Sequence, residues 1–346
     1  MQTTIWTVDS SVDNLITYPQ IQQAAQFLKQ NEVVAFPTET VYGLGGNAES
    51  DEAVAKIYEA KGRPGDNPLI IHISDRQQLN SFVEEIPEKA SRLMDEFWPG
   101  PLTVILNKKE ARLSDKATVG LATVAVRMPD HPVALAIIKA CGLPIAAPSA
   151  NMSGRPSPTT AAHVAEDLNG RIAAIVDGGP TGVGVESTVV DCTEEIPVVL
   201  RPGGITAEQL AAVVGEIRMD PALSDKTKAP KAPGMKYRHY APNAPLYLVD
   251  SSREKIQQLI NEKRREGLLV GMLTTEENQA FYDADKVIAC GSRSRLETVA
   301  GSLYETLRAF NDSPVNIIFG EVFPEHGLGN AIMNRLKKAS GQPVIS

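Results

Sequence analysis

The sequence predicts a two-domain α/β protein, and three observations carry that expectation. Strand-like apolar runs alternate with helix-like segments of 3.6-residue period along most of the chain. A proline-punctuated stretch over 216–245 interrupts the alternation. The 346 residues also exceed the usual size of one domain. With 42% hydrophobic and 22% charged residues there is enough apolar side chain for a core in each part, which excludes a disordered chain. The expected limits are 1–215 for the first domain, 216–245 for a linker or lid, and 246–346 for the second domain.

In the first domain the spacing of Ile21, Ala24, Ala25 and Leu28 predicts a helix, as does that of Val54, Ile57 and Tyr58. Pro132 sits near the start of a third helix over 133–139. Short apolar runs predict strands over 33–36, 69–73, 102–106, 122–127, 172–176, 187–191 and 198–201. Thr206 and Gln209 fit a capping box that opens a helix ending at Gly215. The glycine clusters at 43–46 and 178–184 read as turns, because neither makes a Gly-x-Gly-x-x-Gly string between strand and helix.

Beyond Pro245 the pattern is a small α/β unit: strand 246–249, helix 251–265, strands 268–272 and 287–289, helix 294–310, strand 315–319 and a last helix near 331–339. Capping boxes are expected at Ser251 to Glu254 and at Ser294 to Glu297.

Composition narrows function by exclusion. A net charge of -8 disfavours non-specific attraction to RNA or an anionic membrane, so any phosphate site must be local. Cys141, Cys192 and Cys290 are too scattered for a zinc ribbon or a disulfide framework. The first ten residues lack the basic and apolar regions of a secretory signal. No apolar run nears the roughly 20 residues of a membrane span. A cytoplasmic location and no membrane contact are therefore expected.

Two loops carry the chemistry. Lys61-Gly62-Arg63-Pro64-Gly65-Asp66-Asn67 places two cations one residue apart in a stretch stiffened by proline, suited to an anion but also compatible with a charged helix end. Ala147-Pro148-Ser149-Ala150-Asn151 follows another apolar run and continues through polar residues to Ser157. The string Phe36-Pro37-Thr38-Glu39-Thr40-Val41-Tyr42 sets hydroxyls, a carboxylate and a phenol behind a strand, as a pocket floor does. Arg127 and Arg201 end apolar strands, where an open α/β sheet binds its ligands. His72 alternates with Ile71 and Ile73. No Gly-x-Ser-x-Gly surrounds Ser187, which reads as a hydrogen-bonding residue rather than a nucleophile, and no P-loop string exists.

These strings, with Gly184-Val185-Glu186-Ser187-Thr188, Leu200-Arg201-Pro202-Gly203 and the linker from Pro233 to Pro242, resemble the threonylcarbamoyl-adenylate synthases in their long two-domain form. The resemblance implies a YrdC-like open twisted mixed sheet with helices, followed by a smaller Rossmann-like α/β domain. It implies a nucleotidyltransferase that uses L-threonine, bicarbonate and ATP, with Mg²⁺ accompanying ATP and no organic cofactor. Its product would pass to proteins that transfer threonylcarbamoyl to tRNA, with at most weak tRNA binding by the chain itself. By resemblance Lys61 and Arg63 are catalytic. Thr40, His72, Arg127, Ala147 and Ser187 hold threonine. Arg63, Asn67, Thr123, Ser149, Asn151, Ser157 and Arg201 hold ATP, and His239 and Tyr240 of the linker close over it. No metal ligand is implied. The competing readings are an RNA-binding module, which the acidic charge opposes, and a hydrogenase-maturation carbamoyl transferase, whose zinc fingers three scattered cysteines cannot build.

Overall fold

Residues 43–47 form a strand, not the turn that their glycines suggest. Gly45 lies so close to its neighbours that a Cβ there would stand 2.5 Å from the Phe36 ring and 2.9 Å from Ile145. The missing side chains let this strand slide beneath the aromatic ring of the strand before it. The computed structural model describes residues 2–110, 112–223 and 239–346. Contact density divides these into two units, one built from 2–153, 158–182 and 186–223, the other from 154–157, 183–185 and 239–346.

In chain order the first unit contains β1 (Thr4–Thr7), α1 (Pro19–Lys29), β2 (Val34–Phe36), β3 (Gly43–Asn47), α2 (Asp51–Lys61) and β4 (Ile70–His72). It continues with α3 (Glu88–Phe97), β5 (Leu102–Asn107), α4 (Asp115–Thr118), β6 (Thr123–Arg127), α5 (Pro132–Cys141) and β7 (Ile145–Ala146). Then come α6 (Ala161–Leu168), β8 (Ala174–Asp177), β9 (Thr188–Asp191), β10 (Val198–Arg201), α7 (Ala207–Val214) and β11 (Arg218–Met219). The strands form one mixed sheet in the order β1-β8-β2-β3-β7-β4-β6-β5-β9-β10-β11.

Helix boundaries follow local chemistry. The side chain of Ser50 accepts from Ala53 N to start α2, and Gly62 at φ 59° ends it in the left-handed region. The capping box expected at Thr206 and Gln209 is formed and opens α7. One face of the central strands is fully apolar: Ile71, Val104, Val126, Val190 and Val199 join a core with Leu44, Ile57, Leu93 and Leu210. Burying each such side chain contributes about 1.5–3 kcal/mol. The other face is left to a different use.

The second unit holds β12 (Leu246–Val249), α8 (Arg253–Arg265), β13 (Val270–Thr274), β14 (Lys286–Ala289), α9 (Leu296–Ala309), β15 (Ile317–Glu321) and α10 (Leu328–Ser340). Its sheet is wholly parallel, in the order β12-β15-β13-β14. Ile256 and Ile260 of α8 pack on Val270, Met272 and Phe319. Neither expected capping box forms here. Ser252, one residue later than expected, caps α8 by accepting from Lys255 N. The cap position of α9 is Arg295 without a side-chain bond, because Ser294 Oγ is engaged with Ser292 Oγ at 2.8 Å.

Candidate active site

Register across five strands builds the candidate site. His72 of β4 stands opposite Arg127 of β6, Arg127 opposite Thr103 of β5, Thr103 beside Val189 of β9, and Val189 opposite Arg201 of β10. Residues in register share a face. One residue pair further along the strands, Ile70, Ala125 and Ile105 make an apolar row, joined in one cluster by Val189 and Leu200. Thr123 lies beyond it, opposite Asn107. This face is therefore polar and cationic at one end and apolar next to it.

The polar end is tightly wired. Arg201 donates from Nε and Nη2 to the Ser187 carbonyl at 3.1 and 2.9 Å, and from Nη2 to Ser187 Oγ at 3.1 Å. Ser187 Oγ also meets Thr103 Oγ1 at 2.7 Å. A shift between Val199 and Arg201 in the pairing with β9 sets Arg201 on this row. Burial, reinforced by the Arg127 guanidinium, pushes His72 down to about 3. Its neutral ring places Nδ1 at 3.2 Å from the Ile70 carbonyl, which can only accept. Nδ1 therefore carries the proton, and Nε2 is left as an acceptor.

Arg127 Nε donates to Gly100 O at 3.3 Å, and its Nη2 lies 2.7 Å from Glu39 Oε2. That approach is close but misaligned. Neither Glu39 oxygen nor Arg127 Nη2 completes a hydrogen bond. Glu39 sits in the loop after β2, where Thr38 Oγ1 donates to Val41 O at 2.6 Å and also meets Thr40 Oγ1 at 2.9 Å. With the Thr38 proton committed to Val41, Thr40 is the donor in the second contact, and its lone pairs stay available.

The Lys61 and Ser149 loops are joined. Lys61 is buried in the last turn of α2, not solvated, and its Nζ donates to the Ser149 carbonyl and to Asn151 O, the latter at 2.6 Å. Burial first, then the Arg63 charge, holds the Lys61 ammonium well below its usual range, with Asp167 opposing. Ser149 Oγ donates to Asn151 Oδ1 at 2.6 Å, and Asn151 Nδ2 to Met152 O at 2.8 Å. The loop is stitched to β3 and the residue before it by Leu44 N to Pro148 O and Ala150 N to Tyr42 O, both 2.8 Å, and Ala147 N donates to Ile70 O at 2.9 Å. Arg63 Nη2 makes long contacts to the carbonyls of Asn67 and Pro68, at 3.4 and 3.3 Å, while Asn67 itself is buried.

Three expected ATP residues belong to the second unit: Ser157, His239 and Tyr240. Tyr240 is 5% exposed at φ 65°, with its ring 5.1 Å from that of Tyr304 and 5.6 Å from that of His239. Of the linker or lid expected over 216–245, with its lid segment from Pro233 to Pro242, residues 224–238 lie outside the described residues. Thr103 carries site geometry without any role expected from sequence, and Glu39 is expected only as part of the pocket-floor string. Thr103 is found only through its register with Arg127, whereas for Glu39 the structure adds its pairing with that arginine. Among the described residues no cluster of three or more His, Cys, Asp or Glu could hold a metal ion.

Comparison with known proteins decides the family. The Sua5/yciO/yrdC family model, described as "Telomere recombination", matches residues 26–203, and one described as "Threonylcarbamoyl-AMP synthase, C-terminal domain" matches 205–341. A Bacillus subtilis protein named threonylcarbamoyl-AMP synthase is 60% identical over 345 residues, covering 100% of both chains. The chain belongs to the threonylcarbamoyl-AMP synthase family. A Pyrococcus abyssi member is 52% identical, covering 94% of this chain and 95% of its own. The crystal structure of P. abyssi Sua5 complexed with L-threonine superposes with a TM-score of 0.92 at 49% identity, covering 99% of each chain. The expected fold, a mixed-sheet domain followed by a Rossmann-like one, agrees with that likeness. No helix among the described residues is long and apolar enough to cross a membrane.

Proposed function

We propose that this chain condenses L-threonine, bicarbonate and ATP into threonylcarbamoyl-AMP, releasing pyrophosphate and water. The observation that carries this reading is the face on which the row His72–Arg127–Thr103–Val189–Arg201 adjoins an apolar row, in a member of this family. Threonine's amine attacks bicarbonate to give a carbamate and water, and a carbamate oxygen then attacks the α-phosphorus of ATP as pyrophosphate leaves. Neither step needs an enzyme nucleophile, so catalysis is positioning and charge neutralisation. Positioning alone can supply about 7–11 kcal/mol of barrier lowering.

In this reading Arg127 takes the threonine carboxylate, while Thr40, His72 Nε2, Ser187 and the Ala147 backbone orient the remaining polar atoms. The apolar row of Ile70, Ala125 and Ile105 receives the adenosine, with Thr123 and Asn67 at its rim. Arg63, Arg201 and the Ser149–Asn151 loop face the phosphates, and Lys61 holds that loop from beneath. Ser157, His239 and Tyr240 are further nucleotide residues of the proposal. The chain lacks an acidic cluster for a resident metal among its described residues. Mg²⁺ would accompany ATP as part of the substrate, neutralising phosphate charge. The product would supply proteins that place threonylcarbamoyl on tRNA, in the cytoplasm. The net charge of -8 argues for only weak tRNA contact by the chain itself.

Pyrophosphate release should require threonine and bicarbonate together, and Arg63→Ala or Arg127→Ala should cut it strongly. Equal release with either substrate omitted, or full activity in both variants, overturns the reading.

A further inference from the structure

Glu39 is a buried carboxylate ion-paired with Arg127, Oε2 to Nη2 at 2.7 Å, yet neither of its oxygens nor that Nη2 completes a hydrogen bond. Its side chain is 13% exposed and that of Arg127 5% exposed. An ionised carboxylate in such a place is costly unless donors reach it. The backbone does not let it retreat. Gly182 N donates to the Glu39 carbonyl at 3.1 Å, and Thr38 Oγ1 accepts from Thr40 N at 3.2 Å and Val41 N at 3.3 Å, so the loop is pinned on both sides.

We infer that Glu39 receives the α-ammonium of the amino-acid substrate, so that Glu39 and Arg127 together form a two-pole clamp for a zwitterion. This rests on the proposed threonine site. An α-amino acid carries an anion and a cation on adjacent positions of one carbon, and the pair presents the complementary cation and anion side by side. The two poles are ion-paired at 2.7 Å yet complete no hydrogen bond with each other, which leaves Nη2 a donor for a carboxylate oxygen and the two Glu39 oxygens acceptors for the N–H bonds of an ammonium. The neighbouring rings do not duplicate either pole. His72 is neutral. Burial also lowers His131, which faces Glu39 and whose Nδ1 accepts from Val133 N at 3.3 Å. The Thr38 hydroxyl proton is committed to Val41 O. Glu39 is thus a specificity-determining residue that selects an amino acid with a free α-ammonium.

The test is calorimetric titration of the full chain with L-threonine and with (2S,3R)-2,3-dihydroxybutanoate, in which a hydroxyl replaces the ammonium. The wild-type chain should prefer threonine. Glu39→Gln should weaken threonine by about ten- to a hundredfold, the range for a lost charged hydrogen bond, and leave the hydroxy acid within about threefold. Discrimination then collapses. Retained discrimination in Glu39→Gln, whether both ligands bind as before or both weaken equally, overturns the inference. Should Glu39→Gln fail to fold, Glu39→Asp replaces it. Its shorter carboxylate should keep the sign of the preference and reduce its size, and an undiminished preference counts against the clamp. Arg127→Ala should lose both ligands. If it binds threonine normally, the threonine site itself is misplaced. If it loses threonine while Glu39→Gln does not, only the clamp fails.

Discussion

Lys61 Nζ donates to the carbonyl oxygen of Asn151 at 2.6 Å across 90 residues of sequence. With its bond to the Ser149 carbonyl, this one ammonium ties the end of α2 to the polar loop after β7. Ser153 N closes the same junction by donating to Lys61 O at 2.9 Å. The lysine thus anchors that loop from the end of α2.

Lys61→Met is accordingly expected to act on loop position. It leaves two buried carbonyls without their donor, each worth about 1–3 kcal/mol, and the gain from no longer burying an ammonium offsets part of that. A net loss of about 1–3 kcal/mol should appear in the denaturant midpoint. ATP affinity should fall with it. Unchanged ATP affinity with lost turnover would instead put Lys61 in the chemical step.

Ser187→Ala separates orientation from stability. The hydroxyl touches Thr103 Oγ1 and Arg201 Nη2, whereas the two bonds from Arg201 to the Ser187 carbonyl survive the change. Stability should drop by only about 1 kcal/mol. kcat/KM for threonine should fall by roughly tenfold or more, as expected when a site loses a hydrogen bond to a polar substrate group. Steady-state kinetics with threonine varied at saturating ATP reads this, and an unchanged value would remove Ser187 from the substrate.

Much of the fold was legible because its signals are local. The apolar runs that became β5, β6 and β10, and the box Thr206–Gln209, announce themselves within a few residues. The β3 strand did not, because its fitness for a strand lies in what it packs against, Phe36 and Ile145, and not in its own glycines. The candidate site divides in the same way. Arg127 and Arg201 stand out as strand-ending cations, but their common row with His72 and Thr103 depends on strand order, which is a long-range property. The buried setting of Lys61 was equally hidden, since it needs the carbonyls of a loop 88 and 90 positions away.

Gly203→Ala probes how closely the Arg201 turn is packed. A Cβ at Gly203 would stand 2.3 Å from Thr188 N, 2.4 Å from Glu186 O and 2.5 Å from Ser187 C, all backbone atoms that cannot swing aside. The clash should cost about 1–3 kcal/mol and displace Ser187 from Arg201. Thermal unfolding and threonine affinity should both suffer, whereas Gly215→Ala, where a Cβ meets nothing within 4 Å and only the backbone at φ 80° is strained, should cost stability but leave threonine affinity intact. Equal threonine affinity in the two variants would mean that the turn does not position the site.

His72 gives the fold a titratable weakness in acid. Its pKa stands at about 3 in the folded chain against an ordinary value of 6.5. The unfolded chain therefore binds a proton on this ring at a higher pH than the folded one. Its contribution to stability is fully present above pH 6.5 and is lost as pH falls from there toward 3, at about 1.4 kcal/mol per unit. His72→Gln removes the ring that must charge. Between pH 6.5 and 4 the variant's unfolding free energy should fall less steeply than that of the wild type, by about one proton's worth of slope. Urea titrations across this window measure the difference, and parallel slopes for the two proteins would show that His72 is not held neutral by its burial.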